Sequence, residues 1–137
     1  MDIISPQRDL ITSAINTITA ITDGVEVFDS NSSDSTEYPQ IAISTGNPGD
    51  AQRAKNEQRG NYTVYADYYD VINNDHGVMM DTLFSIREYL KYLRLSNYNC
   101  TSYAYNQSAE TTDTSTSQPL RHVTITIDYQ ITEKSFI

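Results

Sequence analysis

From His122 to Ile131 the chain alternates polar and apolar residues without a break: His122, Val123, Thr124, Ile125, Thr126, Ile127, Asp128, Tyr129, Gln130, Ile131. Successive side chains of a β-strand point to opposite faces, so a period of two fits a strand with one buried face. Val123, Ile125, Ile127, Tyr129 and Ile131 then face a core, and His122, Thr124, Thr126, Asp128 and Gln130 face away. A chain that carries such a strand must build a sheet and also supply the layer that covers it.

Two helices are available for that layer. After Ser5-Pro6, an N-cap followed by a residue suited to the first helical position, Leu10, Ile11, Ala14, Ile15, Ile18 and Ile21 recur at steps of three and four. The pattern predicts an amphipathic helix that ends near Asp23-Gly24. Behind Asn73-Asn74-Asp75, which offers N-caps, Met79, Leu83, Ile86, Leu90 and Leu93 predict a second one. Asp81 near its start and Lys91 and Arg94 near its end complement the helix dipole. Further strands are expected at 25–28, 40–44, 61–71 and 98–105. The third of these sets Tyr62, Val64, Ala66 and Tyr68 on one side and Thr63, Tyr65, Asp67 and Tyr69 on the other.

The predicted order is α-β-β-β-α-β-β. It describes a single α+β domain over residues 1–137, with a mostly antiparallel sheet of about five strands and both helices packed on one face. Two segments read as long loops. Residues 45–60 hold a turn cluster, Gly46-Asn47-Pro48-Gly49-Asp50, then Arg53, Lys55, Glu57 and Arg59 with no apolar period; residues 106–119 are rich in Ser and Thr. Long loops in compact domains tend to be functional or disordered, so contacts are expected there.

Composition narrows the function. With 137 residues, 38% of them hydrophobic, the chain is long enough to bury roughly two-thirds of its unfolded surface without metal or disulfide. Nine Lys plus Arg against eighteen Asp plus Glu leave a net charge of −9. That balance argues against a nucleic-acid binder and points to partners with basic patches. The single cysteine, Cys100, forms no internal disulfide, and the N-terminus lacks the basic and apolar regions of a secretory signal. Folding in the cytoplasm, away from any membrane, is therefore expected.

Little in the sequence points to catalysis. The Gly46–Gly49 region lacks the lysine of a phosphate-binding loop, and neither His76 nor His122 lies beside a nucleophile-elbow motif. Cys100 sits at a strand position that suits a small buried thiol. Asp67, Asp70, Asp75 and Asp81 match no calcium-loop spacing and read as strand-end and helix-start residues. No catalytic, cofactor or metal site is expected. Of the eleven tyrosines, Tyr62, Tyr68, Tyr89 and Tyr129 are expected in the core. Arg53, Lys55 and Arg59 concentrate three of the nine basic residues in one segment, which reads either as a solvated loop or as a basic finger for docking on an acidic neighbouring subunit.

The chain opens with a capped amphipathic helix and runs through short strands and a charged loop. It then reaches a tyrosine-rich strand leading into Tyr69-Asp70-Val71-Ile72 and on to Met79-Met80-Asp81-Thr82-Leu83-Phe84-Ser85-Ile86-Arg87-Glu88-Tyr89-Leu90, and it closes on the strand Arg121 to Tyr129. In this organisation it resembles the tail terminator proteins of long-tailed bacteriophages, also called tail completion or neck proteins. The resemblance spans nearly the whole chain and is one of organisation, because that family has no invariant catalytic motif.

The resemblance implies a structural virion protein and no enzyme. Such a protein forms a ring, typically a hexamer, that caps the head-proximal end of the tail tube and ends its polymerisation. It joins the tail to the head connector and leaves a channel through which DNA passes without tight binding. The implied partners are further copies of the chain, the tail tube protein, a connector or stopper protein and, in a contractile tail, the sheath. The implied location is the tail or neck of the virion, after assembly in the host cytoplasm. By the same resemblance Arg53, Lys55 and Arg59 contact a neighbouring subunit or the tube. The polar tract 108–118 is longer than expected between two hairpin strands, which keeps open a different neck component such as a stopper or head-completion protein. Other classes also stay open: a carbohydrate-binding module that uses exposed tyrosines, and a small hydrolase that uses His122 with a nearby Asp.

Overall fold

The alternating run lies in the middle of the sheet. In the computed structural model, which describes residues 3–31, 36–46, 52–54 and 57–134, it belongs to β7 (Leu120–Lys134). This strand pairs antiparallel along its whole length with β4 (Glu57–Val71), from Leu120 opposite Val71 to Lys134 opposite Glu57. On its other side β7 pairs with β5 (Asn99–Gln107). β4 in turn pairs with β2 (Gln40–Thr45), and β2 pairs with β1 (Glu26–Asp29) in the sheet's parallel contact. The order across the sheet is β1-β2-β4-β7-β5, with two short additions: β3 (Gln52–Ala54) beside β4 and β6 (Thr111–Asp113) beside β7. With the helices α1 (Pro6–Ile21) and α2 (His76–Lys91), this is the expected α+β architecture.

Both helices cover one face, α1 over β1 and β2, α2 over β7 and β5. α1 starts where Ser5 accepts a hydrogen bond from the Arg8 N–H at 3.1 Å, with Pro6 supplying the preset φ of the first turn. α2 starts at Asp75, whose carboxylate accepts from the Gly77 and Val78 N–H groups. Asp81 therefore lies in the second turn, and Asp75 is the acid that meets the helix N-terminus. Leu10, Ala14 and Ile18 of α1 and Met79, Leu83, Ile86 and Leu90 of α2 share one core with Ile41, Ile43, Val64, Ala66 and the five apolar residues of β7. Ile127, Tyr129 and Ile131 are fully buried, as the alternation requires.

Two expected loops are corrected. Residues 45–60 contain a hairpin in which Gln52, Arg53 and Ala54 pair with Arg59, Gln58 and Glu57. Segment 106–119 contains the end of β5 and the strand β6, which pairs Thr111 to His122 and Asp113 to Leu120. The ladder bonds are made by backbone, so polar stretches pair as well as apolar ones and show no hydrophobic period. Tyr89 is a further correction: it is 55% exposed, while Tyr62, Tyr68 and Tyr129 are buried as expected. The buried stripe of α2 runs through residues 79, 83, 86 and 90, and Tyr89 stands beside it.

Candidate assembly surface

The basic residues singled out in the sequence fall on the hairpin. Arg53 lies in β3 opposite Gln58, and Arg59 lies in β4, exposed, opposite Gln52 and Thr132. Lys55 lies outside the described residues. The hairpin places the two arginines on adjacent strands at successive register positions, at the end of the sheet away from α2's N-terminus.

A second surface is richer. One step from its buried stripe, α2 carries Met80, Phe84, Arg87 and Lys91 at helical steps of four, three and four. Met80 and Phe84 are more than half exposed, at 56% and 55%. This flank faces β5: the Arg87 guanidinium lies 5.2 Å from the Phe84 ring centroid and 5.6 Å from that of Tyr105, and the Lys91 ammonium lies 4.5 Å from Tyr105. A cation held over an aromatic face is attracted by the ring and fixes the two side chains together. Lys91 also bonds Glu88 at 2.9 Å, and that hydrogen bond raises its pKa and holds it charged. On the opposite flank of α2 an open groove of about 490 Å³ is lined by Thr17, Glu88, Tyr89, Tyr92, Leu93 and Arg94. Exposed aromatic and apolar groups gathered over one helix mark an interaction surface better than scattered ones do. Sequence reasoning missed this flank. Its signal was present as a second stripe, Met80 and Phe84, beside the one assigned to the core.

The uncovered face of the sheet carries a polar cluster. Tyr69 stacks on His122 at 4.3 Å with the rings 7° from parallel. Asp67 Oδ1 lies 2.8 Å from His122 Nε2 and accepts from the Thr124 hydroxyl at 2.6 Å. An ionised carboxylate only accepts, so both neighbours donate to it and the Thr124 proton points away from the imidazole. The nearby Asp of the hydrolase reading is thus present, and Asp67 bonds both the His122 imidazole and the Thr124 hydroxyl across the two strands.

The other acids serve local structure. Asp70 is buried and accepts from Tyr68 Oη, the Val71 N–H and Asn74 Nδ2, while Asp75 caps α2. Among the described residues no group of three or more His, Cys, Asp or Glu converges as metal ligands do. Cys100 is half-buried, its thiol donating to the Leu93 carbonyl, and burial pushes its pKa up to about 11. No helix among the described residues is long and apolar enough to cross a membrane.

No protein-family profile matches the chain, and no curated protein is similar to it in sequence. Solved structures do share its shape, 25 chains in all. One of them is 15% identical and superposes with a TM-score of 0.58 over 93% of this chain and 96% of its own. At that identity the likeness establishes the fold: this arrangement of two helices on a mixed sheet is a recurrent one, shared over nearly the full length of both chains.

Proposed function

We propose that the chain is a structural virion protein of the tail terminator kind. In this reading it assembles into a ring, typically a hexamer, that caps the tail tube at its head-proximal end and stops its growth while leaving a channel for DNA. The observation that carries the reading furthest is the exposed flank of α2. Met80, Phe84 and Tyr105 stand in solvent around Arg87 and Lys91 on a chain of net charge −9, an arrangement suited to contact with another protein surface. The whole-chain resemblance in organisation supplies the kind of assembly. Repulsion between the acidic body and phosphate suits a lumen that DNA must slide through. The role asks for no chemistry, and the Asp67, His122 and Thr124 cluster serves as cross-strand bonding.

The experiment adds the purified protein to its tail tube protein during tube polymerisation and images tube lengths. Tubes that stop growing and carry a ring at one end support the reading. Rings that bind the connector and leave tube length unchanged assign the chain to another neck component. An absence of binding to either overturns both.

A further inference from the structure

The two edges of the sheet differ in chemistry. Residues 9–52 contain no Lys or Arg; on the β1 side Glu26 is exposed on the strand, Asp29 stands at its end, and Asp23, exposed in the turn before it, lines a groove with Asp75, Val78 and Thr82. The opposite edge is β5, whose sequence Asn-Cys-Thr-Ser-Tyr-Ala-Tyr-Asn-Gln carries no charge and no proline; Arg87 and Lys91 of α2 lie over its Tyr105, Lys91 also paired with Glu88, and Phe84 lies beside Arg87. Among the described residues β1 pairs only with β2, and β5 only with β7. Long uncharged edges invite pairing with other chains unless something covers them. β5 carries a bulge between Ser102 and Ala104, a feature that disfavours edge pairing locally.

We infer that the α2 and β5 side of the molecule receives the acidic β1 side of a second copy of this chain, in a head-to-tail contact. In a two-fold contact the groups nearest the axis meet their own copies, so a two-fold centred on Arg87 or on Glu26 sets like charge against like. The head-to-tail arrangement pairs opposite charges and covers the β5 edge at every subunit. Repeated with a closing rotation, such a contact generates a ring. The inference rests on the ring-forming reading for its partner and adds which two surfaces meet. It moves the principal subunit contact from the Arg53 and Arg59 hairpin to α2 and β5.

Charge exchange tests it. The variant R87E/K91E is acidic on both sides, and D23K/E26K is basic on both. Each alone is expected to be monomeric by light scattering at concentrations where the native chain associates, and an equal mixture is expected to regain association, because each variant then supplies what the other lacks. F84D, a single change at an exposed site, is expected to weaken association about tenfold or more. Circular dichroism melts check that all three fold. Association by R87E/K91E alone, or a folded mixture that stays monomeric, overturns the contact and leaves the terminator reading standing. A native chain that is monomeric at every concentration overturns the contact as well. Rings that form through this contact and fail to arrest tube growth overturn the terminator reading alone.

Discussion

The carboxylate of Asp9, buried in the first turn of α1, accepts the backbone N–H of Asn97 at 2.8 Å across 88 residues of sequence, and its other oxygen accepts that of Ser96 at 3.2 Å. The turn between α2 and β5 is thereby fastened to the other helix. Removing a charged acceptor from two partly buried donors leaves both unsatisfied, so Asp9→Ala is expected to cost about 2 to 3 kcal/mol. At this chain length that lowers the melting midpoint by about 6 to 10 °C. Asp9→Asn, which keeps one acceptor oxygen, should lose less. Calorimetry of both variants decides; a change below about 0.5 kcal/mol for Asp9→Ala contradicts the fastening role.

Ile127 is fully buried at the centre of β7, opposite Val64 on the helix-covered face. Ile127→Ala is expected to cost about 2 to 5 kcal/mol and Ile127→Val about 0.5 to 1.5 kcal/mol, since the first opens a cavity and the second removes one methyl group. Denaturant titration measures both. Equal small losses would show that this position is not in a close-packed core.

Gly60 and Tyr62 occupy the same face of β4, and a Cβ at Gly60 would lie 2.7 Å from Tyr62 Cε2. Tyr62 is itself core, 7% exposed, so its ring has little room to retreat. Gly60→Ala is expected to destabilise by about 1 to 3 kcal/mol through overpacking. In a Tyr62→Leu background the same change should cost less, and the double-mutant cycle reads the difference. Additive effects would contradict a clash between the two.

Burial raises the pKa of Tyr129, whose hydroxyl donates to the Leu90 carbonyl, and that of Tyr68, which is raised further by the charge of Asp70 and its hydrogen bond. A phenol whose folded pKa lies above its unfolded value, about 10, contributes stability fully present below pH about 10 and lost as pH rises beyond it. Base should therefore unfold the protein above pH about 10. Tyr68 and Tyr129 should ionise last, together with the loss of the circular dichroism signal. An absorbance titration in which all eleven tyrosines ionise near pH 10 with the fold intact contradicts this.

The contrast between what sequence carried and what it did not follows from where each signal resides. His122 to Ile131 announced its strand because one face is buried, and Leu10, Ala14 and Ile18 announced their helix for the same reason. Thr111–Asp113 and Gln52–Ala54 gave no sign, because their pairing is backbone bonding and neither run carries an apolar period. Asp67 meets His122 through the β4 and β7 register, which sets Asp67 opposite Thr124 and Tyr69 opposite His122; register is a tertiary property that a period of two leaves undetermined. Met80 and Phe84 were visible as apolar residues, but helical spacing alone does not say which of two adjacent stripes faces the sheet.

Self-assembly into a ring is the central claim, and native mass across concentration, measured by light scattering with negative-stain images of the same samples, tests it most directly. The account predicts hexameric rings with a central hole, populated increasingly as concentration rises. A strict monomer at every concentration, both alone and with tail tube protein present, contradicts it.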